Sequence, residues 1–491
     1  MTTTTPTGAP APAPARAPKT DRWYLATAGI WRALAHLCLP MIAAVSVGGV
    51  YNVINAGFIG ALHSTALLSA ITFGIPVFAL IMAIGGVFGV GGSTAISRLM
   101  GSAEGADDAT AARTRDDIRR YAAFTVWGAA AAGVLIDVVC LILLDPITAA
   151  LGADAAASDA TAAYIGIQFA GAPILVVAFA IEQVVRAEGN TRASMIGLIA
   201  STIANLAFDV LFILVLGMGV FGAGLALVLS NAVAVAYYAW VLQKRSANGI
   251  SLAPRWFAVR RGIVTEVFTI GSSELVMSSF LLVSSLLLNH LAVAYGDSVI
   301  AAFGVSQRIV QVPEFLCMGV TLGVLPLIAY SFGARNRARL AAGIRASVIA
   351  IGAFTIVFSG LVFAFHEPVF HLFSSDPAVL RDGALILVAQ LVSTIFNGVT
   401  ALIIAVFQGI GAGRATTIMS FAQGLLFIPV IIVANLAFGL TGIIWAMTVT
   451  ELLTFAIGLV LWRIERPTHR VASDEEAAQA LAMVEEEPVA A

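Results

Sequence analysis

The sequence predicts an all-α polytopic membrane protein: twelve transmembrane helices in two six-helix lobes around a central cleft. Three observations predict it. The chain of 491 residues is 59% hydrophobic and only 11% charged, where soluble domains are about 25% charged. Apolar windows long enough to span a bilayer recur from Leu34 to Trp462. The second half of the chain also repeats the first with the same topology.

The spans read 34–60, 66–99, 120–144, 161–187, 193–216, 221–243, 264–294, 298–332, 344–366, 382–410, 415–437 and 441–463. Several exceed the roughly 20 residues that a bilayer demands, so tilted or bent helices are expected. Pro40, Pro76, Pro173, Pro313, Pro326 and Pro429 lie in or near these spans and are expected to bend them. Residues 1–33 read as a disordered arm rich in Thr, Pro and Ala, with no apolar segment of the kind a signal peptide carries. The first lobe covers 34–243, a basic linker 244–263, the second lobe 264–463, and an acidic tail 464–491.

Lys and Arg set the orientation, because cytoplasmic loops carry an excess of them. With the N-terminus inside, 24 of the 26 basic residues fall in cytoplasmic segments; Arg381 and Arg308 are the exceptions. The expected location is the inner (cytoplasmic) membrane of the cell, with both termini in the cytoplasm. This bias also supports an even number of spans.

The internal repeat is visible residue by residue. RAEGNTRASMI (Arg186 to Ile196) aligns without a gap on QGIGAGRATTI (Gln408 to Ile418), pairing Gly189 with Gly411. Thr72 to Val77 matches Ala302 to Gln307, and Gly101 matches Gly333. The offset covers six helices, an even number, so the lobes are related by an axis along the membrane normal. Two such bundles enclose a cleft, and polar residues facing it are the candidates for function.

Several ionisable groups stand out. Asn205 and Asp209 are one turn apart on the fifth span and share a face. An unpaired carboxylate in a dry core is costly, so the pair is either an ion site or a polar clamp between helices. Asp137, midway along the third span, is either a second acid of the first lobe or the partner of a polar group on a neighbouring helix. Glu182 and Arg186 have the i,i+4 spacing of a structural ion pair. Glu274 enters the seventh span near its cytoplasmic end, where an acid at a cleft mouth attracts organic cations. Arg308, Gln311 and Glu314 fall at one-turn spacing on the eighth span, as a self-satisfied ladder or as lining of the substrate cleft. Gln390 and Asn397 lie on the tenth, and Asn397 is a further candidate for lining the substrate cleft. Glu451, on the twelfth, carries no functional argument.

Other chemistry is excluded or unsupported. Cys38, Cys140 and Cys317 are too scattered for a disulfide framework or a zinc site. The six histidines are dispersed, which opposes a membrane-embedded enzyme or receptor with a clustered catalytic or ligand set. GVGGS (Gly89 to Ser93) follows a helix rather than a strand, so it reads as helix packing and not as a phosphate loop. No Walker A sequence is found, so no ATPase, nucleic-acid partner or cofactor is expected.

Four stretches carry a family resemblance: GVFGVGGSTAISRLMG, RAEGNTRASMIGLIASTIANLAFDVLFI, GMGVFGAGLALVLS and PLIAYSFGARNRARL. Together, in order and spacing, they resemble the multidrug and toxic compound extrusion (MATE) family, nearest its MepA-type bacterial branch. The resemblance implies two lobes that alternate access and export small organic, often cationic or amphipathic compounds in exchange for H⁺ or Na⁺. It places the first-lobe cation site at Asn205 and Asp209, the only location where a metal, Na⁺, is expected. Relatives read YNxxDxxFVG in the first span, where this chain has YNVINAGFIG with Asn55 at the acid position. Asn55 is then a ligand or hydrogen-bond partner of Asp209, and Asn52 is another such partner or a packing residue. A sodium-coupled branch keeps an acid near the position of Asn397, which opposes a second-lobe site of that kind here. The alternative reading, a flippase for lipid-linked precursors, expects several basic residues in the cleft, and only Arg308 is intramembrane.

Overall fold

Long uninterrupted apolar segments between short polar turns leave the backbone one way to satisfy itself in a bilayer, which is as helix. The computed structural model describes residues 20–61, 65–151, 158–246, 249–365, 368 and 377–470. Among these it is helical, without a β-strand. Eleven helices are long and apolar enough to cross a membrane, and a bent pair completes the twelfth.

The first three spans are Ile30–Ala61, Thr65–Ser102 and Asp108–Ile142. The fourth is the bent pair, Ser158–Ala170 and Ala172–Ala187, whose axes differ by 52°. The fifth is Thr191–Asp209, continued by a π-helix over Val210–Val215, and the sixth is Gly219–Arg245. The second lobe contributes Arg261–Val293, Asp297–Gly333, Arg337–Ala364 and Pro377–Gly409 as spans seven to ten. Its eleventh span is Gly413–Leu425 with Phe427–Phe438, and its twelfth is Leu440–Glu465.

Pro40, Pro76, Pro313 and Pro326 all sit inside unbroken helices. The sharp bend of 52° falls just before Pro173, as expected of that proline, at the start of the second half of span four, where a missing N–H removes no helical bond. The third helix begins at Asp108, well before the apolar window, because Asp107 caps it by accepting from the Thr110 amide.

The repeat is built into the packing. The second span packs on the seventh, and its counterpart, the eighth, packs on the first. A side chain at Gly101 would collide with the Tyr330 carbonyl, and one at Gly333 with the Arg98 carbonyl. Both pairs of counterparts, Gly101 with Gly333 and Arg98 with Tyr330, are 232 residues apart. The second and eighth spans therefore cross on the pseudo-twofold axis, with backbones touching where only glycine fits. Gly91 against Val267 and Gly323 against Leu37 repeat the relation one layer out. Gly189 and Gly411 both close their helices with positive φ, at 81° and 77°, a conformation that disfavours a side chain.

These crossings lie at the end of the molecule that carries Arg113–Arg120, Arg255–Arg261 and Arg335–Arg345, here the basic end. One continuous apolar core joins both lobes there, running from Leu34 and Met100 through Val324 and Leu327 to Phe407. Smaller clusters, such as Val299 with Ile386 and Phe427 with Ile443, hold the second lobe farther away.

Candidate functional site

The fifth span carries Asn205 and Asp209 one turn apart, and both are buried, at 7% and 4% exposure. The first span faces them with Tyr51, whose hydroxyl donates to Asn205 Oδ1 and lies 3.4 Å from Asp209 Oδ2. One phenol thus bridges an amide and an acid across two helices. Tyr164 of the fourth span is buried and packed on Gly74 of the second. Asp209 is the last α-helical residue before the π-helical turn. Such turns release the regular i to i+4 ladder and recur at functional positions. The backbone of Asn52 and Asn55 belongs to the first span, but their side chains lie outside the described residues.

The other predicted residues do not join this cluster. Asp137 is half-exposed among Leu135, Val138 and Val139, which face outward. Glu274 sits at the lobe interface, against Gly86 of the second span, and accepts from Gln408 Nε2 at 2.9 Å. Arg308 is exposed and Gln311 half-buried, and no hydrogen bond among the described residues links them to each other or to Glu314. The ladder reading of these three therefore finds no support. Asn397 is half-buried beside Gly398, which packs on Cys317 of the eighth span. Glu182 and Arg186 pair at 3.3 Å in a fully buried setting, where Ser194 also donates to Glu182.

A second polar assembly was not legible in the chain. Arg98 of the second span binds Glu266 of the seventh at 2.6 Å and donates to the carbonyls of Gln408 and Gly409, at 3.1 and 2.9 Å. Tyr121 of the third span donates to the other oxygen of Glu266, and Tyr330 donates to Glu104 at 2.7 Å. First-lobe helices are tied to second-lobe helices by charge-assisted bonds at the basic end. This latch sits beside the Gly101–Gly333 crossing and closes the space between the lobes. Sequence offered only a basic residue at the end of an apolar span, a pattern that ordinarily marks a membrane boundary.

A two-lobed helical membrane protein with a same-topology repeat, buried acids in its spans and a polar lock between its lobes is a membrane transporter, not an enzyme. Comparison with known proteins specifies the kind. The MatE family model matches residues 40–211 and 270–433. The multidrug export protein MepA of Staphylococcus aureus (strain NCTC 8325 / PS 47) is 34% identical over 429 residues, covering 87% of this chain and 92% of its own. The MepA of Staphylococcus haemolyticus (strain JCSC1435) is 33% identical over 431 residues, with the same coverage. A crystal structure of MATE in complex with MaL6 superposes with a TM-score of 0.82 at 21% identity, covering 92% of this chain and 99% of that one. A MOP superfamily transporter from Pyrococcus furiosus superposes with a TM-score of 0.80 at 22% identity, covering 92% and 98%. The chain belongs to the MatE family.

Proposed function

We propose that this protein is a secondary active exporter of small organic, mainly cationic or amphipathic compounds, driven by inward flow of H⁺ or Na⁺. The observation that carries the reading is the Tyr51–Asn205–Asp209 cluster. A buried carboxylate with one phenol and one amide beside it, and no basic partner among the described residues, gains from binding a cation or a proton. Asp209 is the charge that the ion neutralises. Asn205 contributes a carbonyl oxygen as ligand or acceptor, and Tyr51 transmits the change to the first span because its hydroxyl contacts both residues.

The family relatives named as multidrug exporters support the substrate class. The basic end is then the cytoplasmic one, in accordance with the distribution of Lys and Arg, and both termini lie there. The Arg98–Glu266 latch holds the lobes together on that side, so the cleft is accessible from the opposite one. Ion binding at Asp209 favours release of the compound outward. The latch then opens, the ion leaves inward and the cleft reloads.

The test is transport of tetraphenylphosphonium by proteoliposomes under a pH or a Na⁺ gradient, imposed separately. One gradient is expected to drive wild-type transport, and Asp209→Asn is expected to abolish it while the protein still inserts. Transport driven by neither gradient, or full activity in Asp209→Asn, overturns the reading.

A further inference from the structure

The arm over residues 1–33, which the sequence reads as disordered, contains a short helix, Asp21–Ala26. It is seated on the first lobe. Leu25 has no exposed surface and packs against Gly189, in the turn between the fourth and fifth spans. Tyr24 stacks on His36 of the first span, with ring centroids 3.7 Å apart and planes within 3°. Asp21 Oδ1 lies 3.1 Å from His36 Nε2, and Arg32 sits over the Trp23 ring at 5.5 Å.

The second lobe grips the same helix. Arg339, in the first turn of the ninth span, donates from Nη2 to the Tyr24 carbonyl at 2.7 Å and from Nη1 to the Ala28 carbonyl at 2.8 Å. Its Nε donates to the Leu25 carbonyl, and the helix also lies against the eighth span. The last carbonyls of a helix have no partner within it. One guanidinium of the second lobe therefore closes the end of a helix that is seated on the first.

This contact stands where the repeat leaves the latch without a copy. Gly91 against Val267 and Gly323 against Leu37 are equivalent crossings. They make Tyr330 the counterpart of Arg98, and His36 the counterpart of Glu266. A phenol and an imidazole cannot rebuild an arginine–carboxylate pair. Each bonds elsewhere, Tyr330 to Glu104 and His36 to Asp21. The helix thus lies on the side of the pseudo-twofold axis where the second latch is missing.

We propose that the Asp21–Ala26 helix is a strap across the two lobes. Anchored on the first and gripped by Arg339 of the second, it holds the basic end closed and must leave Arg339 before the lobes part there. Only Thr27–Gly29 separate it from the first span, so it travels with that span. As the lobes separate, three guanidinium–carbonyl bonds are exchanged for water, and bonds to a charged donor are among the stronger ones in a protein. The latch is made by membrane-spanning helices, whereas the strap belongs to the arm ahead of them and can let go without repacking any span. This role presupposes the alternation of the lobes proposed above.

The experiment measures distances between two spin labels by double electron–electron resonance, on the purified full-length protein in nanodiscs. With Cys38, Cys140 and Cys317 replaced, labels at Ala112→Cys and Ile464→Cys, both exposed, report the population whose lobes are parted at the basic end. Arg339→Ala frees the strap from the second lobe. Leu25→Asp places a charge in the buried seat and frees it from the first. Each is expected to raise the parted population about tenfold, the worth of one bond to a charged group at the low end of its usual range. Glu266→Ala, which removes the latch, is the control for opening. Wild-type populations in both strap variants, with opening in Glu266→Ala, overturn the strap and leave the alternation standing. A rise in only one of the two overturns it as well, because a strap held at one end ties nothing. Lower thermal stability with unshifted distances marks packing alone and also overturns it. No parted population in any variant, Glu266→Ala included, overturns the alternation on which the strap depends.

Discussion

Removing one side of the latch makes its energy measurable. In Glu266→Ala, Arg98 loses its 2.6 Å carboxylate partner and Tyr121 loses its acceptor, while the Gln408 and Gly409 carbonyls still hold the guanidinium. The Arg98 side chain is 12% exposed and that of Glu266 36%. Breaking a fully buried pair costs about 3–5 kcal/mol and an exposed one about 0–1, so about 2 kcal/mol is expected here. That amount shifts an equilibrium about 30-fold, away from the state closed at the basic end. A reporter is available at Ser93, which lines a narrow gap between the lobes with Gln183, Arg186 and Pro326. With Cys38, Cys140 and Cys317 replaced, Ser93→Cys is alkylated by an impermeant maleimide applied from the basic side. The rate should rise by the same order of magnitude in Glu266→Ala. A rate within about twofold of the Glu266 parent would refute the latch, since a 2 kcal/mol bias cannot leave the open population unchanged.

Other outcomes follow from the same packing. Gly101→Val drives two methyl groups into the Tyr330 carbonyl. Overpacking of this kind costs about 1–3 kcal/mol, so thermal stability should fall and Ser93→Cys labelling should rise. Glu182→Ala strands the buried Arg186 and removes the acceptor of Ser194. A loss of about 3–5 kcal/mol is expected, read as a lower unfolding temperature in detergent and absent if the pair is incidental. The Asp107 carboxylate caps the third helix, and its bond to Thr110 lowers its pKa below the ordinary 3.8. A depressed folded pKa gives stability that is present above the unfolded value and lost as pH falls through the folded one. Hydrogen exchange in the first turn of that helix should therefore accelerate below the ordinary carboxylate range, and Asp107→Ala should show the fast exchange at neutral pH as well.

The legibility of the site followed the range of the interactions. Asn205 and Asp209 were readable as a pair because one helical turn brings them together. Tyr51 lies in the same stretch as Asn52 and Asn55, yet its amide and acid partners are 154 and 158 residues away. Glu451 could be seen as a membrane acid without a role, because Gln423 reaches it from another helix.

Taken alone, the sequence determined the spans, their number and the repeat. Hydrophobic length is a local property, and the repeat survives in glycines such as Gly101 and Gly333, where a side chain would strike the facing backbone. The tertiary structure decided which charges are spent on one another. Arg98 meets Glu266 168 residues on and the Gln408 carbonyl 310 residues on, while Gln423 and Glu451 meet from two helices. In a membrane interior an unpaired charge is too costly to leave to chance, but its partner is chosen by how helices cross, and no local pattern records that choice.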